Sequence, residues 1–182
     1  MGHDGLPLAS FVAHDDAETL IETVAAFTRR LFHRAAVAFM GAEGDSPLAL
    51  HAALASILTD AANAPEMTYM SVIELPRLGP PAHERHARMI ALFGELLAPG
   101  FAAMDRQPPN PETLALCLGG SVWETLRRHA AERRLHELPD ALAGLSFVCV
   151  STIYGSQEAR RVNGLAHDVH RPAATDAFGF FS

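Results

Sequence analysis

Apolar residues recur along this chain at helical spacing, and almost nowhere with the alternation of a half-buried strand. Leu20, Val24, Phe27 and Leu31 share one face of a segment predicted to run from a cap at Asp15 or Asp16 to about Met40. Its acids (Asp16, Glu18, Glu22) precede its bases (Arg29, Arg30, Arg34), the order a helix dipole favours. Gly41-Ala-Glu-Gly44 ends it. Ser46 as cap, with Pro47 at the first helical position, opens a second helix to about Ala62. Pro65 begins a short third helix through Met67, Met70, Val72 and Ile73, stopped by Pro76 and the Gly79-Pro80-Pro81 turn. A fourth spans Ala82 to about Met104, with Met89, Leu92, Phe93, Leu96 and Leu97 on its apolar stripe and Glu84 and Arg88 set for an i,i+4 pair. Pro99-Gly100 is expected to kink or break it. Asn110-Pro111-Glu112 caps a fifth helix to about Arg134, and Pro139 opens a sixth to about Tyr154. Phe147-Val-Cys-Val150 in isolation also suits a buried strand, but its flanks and length favour helix. The expected fold is therefore all-α with about six helices, followed by a loosely ordered tail in which Phe178, Phe180 and Phe181 could dock.

The last two of these segments hold more apolar surface than one neighbour can cover. No charged side chain lies between Asp140 and Glu158. The uncharged run contains Ser146, Ser151, Thr152 and Gly155 and is short for a membrane span, so it reads as a core or interface segment and points to a homodimer. Composition narrows the class further. With 49% hydrophobic and 19% charged residues in 182 positions, the chain is globular rather than disordered and holds one domain or slightly more. The formal net charge of −7 argues against a nucleic-acid grip by these residues alone, which would need a clustered basic face. Cys117 and Cys149 sit in apolar segments and read as buried free thiols, in keeping with a reducing cytoplasm. The N-terminus MGHDGLPLAS lacks the basic and apolar regions of a signal peptide.

The chain carries few signatures of catalytic chemistry. A phosphate-binding Walker loop needs lysine, and the chain has none. Gly119-Gly-Ser121-Val-Trp123 approaches a nucleophile elbow but places Trp where the second flanking Gly is required. His83 with His86, and His167 with His170, have helical metal-ligand spacing; the first pair lies in a charged stretch better read as a solvated face, and the second in the tail. No cofactor, metal or catalytic set is expected, and the chain is not expected to be an enzyme. Glu74 stands out in an otherwise apolar segment, as either a surface contact or an orienting group for a ligand with a positive or hydrogen-bond-donating end. Met67, Tyr69, Met70, Met89, Phe93 and Phe101 form an adaptable apolar set, suited to core packing or to a pocket for varied apolar molecules. Trp123, if buried, needs a partner for its indole N–H.

Taken in order, several segments carry a resemblance. Leu118-Gly-Gly-Ser-Val-Trp-Glu-Thr-Leu126, Arg127-Arg-His-Ala-Ala-Glu-Arg-Arg-Leu135 and Glu137-Leu-Pro-Asp140 resemble the last two helices of TetR/AcrR-family transcriptional regulators. Ala64-Pro-Glu-Met-Thr-Tyr-Met-Ser-Val-Ile-Glu-Leu75 and Gly79-Pro-Pro-Ala-His-Glu-Arg-His-Ala-Arg-Met-Ile90 resemble that family's middle helices, and Phe11-Val-Ala-His-Asp15 is similar to the start of its domain-joining helix. The likeness spans roughly Leu8 to Glu158. It implies an effector-binding and dimerisation domain over residues 15–157, a linker remnant over 1–14 and a tail over 158–182. The family's N-terminal helix-turn-helix domain has no counterpart in the residues before Asp15, so DNA contact is expected only through a domain missing from this chain. The resemblance places a four-helix-bundle dimer interface on the helices Glu112 to Arg134 and Pro139 to Tyr154, with Val122, Leu126, Leu145, Val148 and Thr152 as its candidate residues. It places an effector pocket among His51, Met70, Glu74, Phe93 and Trp123, joined by Met67, Met89 and Phe101 from the adaptable set. The implied function is a ligand-sensing domain of a repressor acting on an apolar small molecule. Two rivals are a stand-alone all-α binding protein with no DNA-binding role and a helical enzyme.

Overall fold

One helix is covered on nearly every side, and it lies at the centre. In α2 (Ser46–Asn63) Leu50, Leu54, Ile57 and Leu58 are fully buried and only Ser46, Thr59 and Asn63 are exposed. Such a helix can exist only inside a core. The computed structural model describes residues 14–42, 44–78, 80–102, 104 and 108–169, and these contain helices and turns but no strand. Around α2 lie α1 (His14–Gly41), the short α3 (Pro65–Tyr69), α6 (Leu142–Tyr154) and α7 (Ser156–Val169). The remaining helices, α4 (Pro80–Ala102) and α5 (Pro111–Ala131), pack on each other. Each fully buried leucine or isoleucine of α2 contributes about 1.5–3 kcal/mol of transfer free energy.

Helix ends follow local chemistry closely. Asn110 Oδ1 accepts from Thr113 N at 3.1 Å, with Pro111 in the first turn, as the sequence predicts. At α2 the cap is Asp45 rather than Ser46: its Oδ1 accepts from Leu48 N at 3.0 Å. Ser46 has another use, a hydrogen bond with the Tyr154 hydroxyl. Helix α1 begins at His14, so Asp15 and Asp16 already lie in its first turn.

Four other expectations change. The third helix does not continue regularly to Ile73 but passes into a π turn, Met70–Glu74, and a 3-10 turn, Leu75–Leu78. Helix α4 runs on through Pro99 to Ala102. A proline so near a C-terminus removes only one of the last backbone bonds, and Gly100 lets α4 approach Ile153 and Tyr154 of α6. Pro139 sits inside a 3-10 turn, Leu135–Ala141, and α6 starts only at Leu142. The segment from 158, expected to be loose, begins as helix α7: Ala159 and Val162 are wholly buried, and Arg161 Nη2 donates to Asp45 at 2.8 Å. Phe178, Phe180, Phe181 and residues 1–13 lie outside the described residues.

Candidate functional site

Between α1 and α4, beside the irregular turn that joins α3 to α4, lies a half-open cleft of about 840 Å³. Val24, Ala25, Thr28 and Arg29 of α1 form one wall, and Glu84, Arg88, Met89 and Leu92 of α4 the other. Ser71 of the π turn and Leu75 of the 3-10 turn lie between them. Local sequence explains the walls. Val24 and Thr28 are one turn apart on α1, as are Glu84, Arg88 and Leu92 on α4, so each helix presents one stripe. Val24 and Leu75 are buried and also join a small cluster with Leu20, Ile21, Met67, Met70 and Leu78. The volume lies in the range of small-molecule sites.

Of the eight residues expected at a ligand site, only Met89 lines this cleft. Met67 and Met70 are half-buried in the small cluster. Phe93, Phe101 and Trp123 belong to the main core, where Phe93 meets Phe32 edge-on with ring centroids 4.8 Å apart. Glu74 is buried, and its Oε1 accepts from Arg77 Nη1 at 3.1 Å, which uses the charge a ligand was expected to meet. The surface i,i+4 pair between Glu84 and Arg88 does not form; both side chains border the cleft. Arg29 and Arg88 could have been found from the sequence by one signal, an arginine beside or on a stripe that also carries a core residue.

His51 is placed elsewhere, between α2 and α6. Its Nδ1 is hydrogen-bonded to Ser146 Oγ at 2.8 Å, and both side chains are buried. Burial holds the imidazole below its usual pKa of 6.5, so it is neutral at physiological pH. Among the described residues no acid is hydrogen-bonded to the pair, neither side chain borders the cleft, and the bond ties α2 to α6.

The candidate interface residues divide. Val122, Leu126 and Leu145 are in the chain's own core, with Val122 only 1% exposed. Val148 is 46% exposed and Thr152 half-buried, both on the outer side of α6. Phe147 on α6 and Leu116 on α5, which are not among the candidate interface residues, are exposed as well. Cys149 is buried and its thiol pushed up to about 11, whereas Cys117 is exposed rather than buried; the two are free. Among the described residues no three His, Cys, Asp or Glu side chains converge to hold a metal ion. The His83, His86 and His167 side chains, and His170, lie outside the described parts. No described helix is long and apolar enough to cross a membrane. Comparison with protein-family models, with curated proteins and with solved structures finds no match to this chain.

Proposed function

We propose that this chain is the effector-sensing and dimerisation domain of a TetR-like transcriptional regulator. The observation that carries the proposal is the cleft: one of its walls is α1, the helix that the resemblance equates with the connection to a DNA-binding head. A ligand there touches α1 and α4 at once, so it favours whichever spacing of the two helices fits it, and α1 carries that preference toward its N-terminus as a population shift. DNA contact is assigned to a helix-turn-helix unit outside α1 to α7, in keeping with the net charge of −7. The domain works in the cytoplasm, senses and pairs, and performs no chemistry on its ligand.

Pairing is assigned to the outer sides of α5 and α6. Helix α6 carries no charged residue from Leu142 to Tyr154, yet Ala143, Gly144, Phe147 and Val148 are exposed. Light scattering on the 182-residue chain is expected to give the mass of a dimer, and Val148→Glu a folded monomer. A monomer at high concentration, or a dimer indifferent to Val148→Glu, would overturn the assignment. An electrophoretic shift assay on the same chain is expected to show no operator binding. The stand-alone binding protein shares the cleft and the dimer; an in-frame helix-turn-helix pattern in the genomic sequence upstream of Met1 separates the regulator from it.

A further inference from the structure

Polar groups around the cleft fall into two kinds. Thr28 Oγ1 donates to Val24 O at 2.9 Å and Ser71 Oγ to Met67 O at 2.7 Å, so both hydroxyls are spent on their own backbone. Arg29, Glu84 and Arg88 have no hydrogen-bond or ion-pair partner among the described residues, although each borders the cleft. Among the described lining residues two guanidiniums stand against one carboxylate, an excess of one positive charge, on a chain whose formal net charge is −7. The interior between them is apolar: Val24, Leu75, Met89 and Leu92.

We propose that the cleft takes an amphipathic monoanion. Its apolar body lies on Val24, Leu75, Met89 and Leu92, and its carboxylate sits between Arg29 and Arg88, whose planar donors match a carboxylate in pairs. Glu84 sets the charge at one, because it repels a second negative group. The ligand class is thus opposite in sign to the one Glu74 suggests from the sequence, since Glu74 is held by Arg77 and lies outside the cleft. This rests on the cleft being the effector site.

Calorimetry with decanoate, 1-decanol and decylammonium on the full chain tests both. Decanoate is expected to bind one per protomer, about tenfold tighter than 1-decanol, the advantage of a charge-assisted contact, and decylammonium to bind weakest. Arg29→Ala with Arg88→Ala removes that advantage, and since both side chains are exposed the double variant keeps the wild-type melting temperature. Glu84→Gln is expected to tighten decanoate by about threefold, a gain that a merely structural role does not produce. Equal affinity for decanoate and 1-decanol, with both lost on Met89→Trp, would keep the cleft as a site and overturn the anion. Decanoate bound as well by the double arginine variant would overturn the anion likewise. Absence of binding by all three compounds would overturn both.

Discussion

Arg133 follows α5 with a φ of +58°, in the left-handed region that suits glycine. It is held there because Arg134 N donates to His129 O at 2.7 Å and Arg133 N to Ala130 O at 3.1 Å, the bond pattern that closes a helix C-terminus. Arg133→Gly relieves the backbone without removing either bond. It is expected to stabilise the fold by about 0.5–1 kcal/mol, read as a shift in the urea midpoint at unchanged slope. His51 is one residue-scale source of pH dependence. The folded chain keeps it neutral while the unfolded chain protonates it near pH 6.5, so its contribution to stability is complete above that value and falls as pH drops below it. Urea midpoints at about pH 7 and about pH 5 should differ more for the wild type than for His51→Gln, because only the wild type carries this titration. Equal differences would place the pH dependence on other groups.

Between elements, close approach matters most at two glycines. A Cβ on Gly100 would lie 2.7 Å from Tyr154 Oη and 2.9 Å from Ile153 Cγ2, and one on Gly119 would lie 3.0 Å from Phe93 Cβ and 3.1 Å from Ile90 O. Gly100→Ala therefore forces α4 away from α6 or turns Tyr154 off Ser46, at an expected cost of about 1–3 kcal/mol. Adding Tyr154→Phe removes the nearest atom and is expected to recover part of it; purely additive losses in thermal melts would show that the hydroxyl is not the obstacle. Element positions were largely readable beforehand, because helical period, Pro47, Pro65, Pro111 and Asn110 are local signals. The cleft was not. The π turn takes in an extra residue and so rotates the chain after it by about 100° relative to a regular helix. No local signal in the sequence announces that turn, and in it Leu75 borders the cleft while Glu74 meets Arg77.

For the molecule as a whole, the most apolar positions proved to be the ones a single chain buries for itself. Val122, Leu126 and Leu145 were attractive interface candidates for the same reason that they are core. Val122→Glu is accordingly expected to unfold the chain rather than dissociate it, with loss of the cooperative thermal transition, whereas Val148→Glu keeps that transition; a folded Val122→Glu monomer would reverse the assignment. Asp45 has a further consequence. Its carboxylate caps α2 and also receives Arg161 of α7, from a position 116 residues later in the chain. The cap can form as soon as α2 exists, but the second contact waits for almost the whole described chain to be synthesised, and it closes one of the longest loops in the fold. During synthesis α2 therefore starts with its end satisfied but the core on its α6 side still open, and only arrival of the last described helix completes that side. A ribosome paused before α7 would hold a chain that has its helices but not yet its closure.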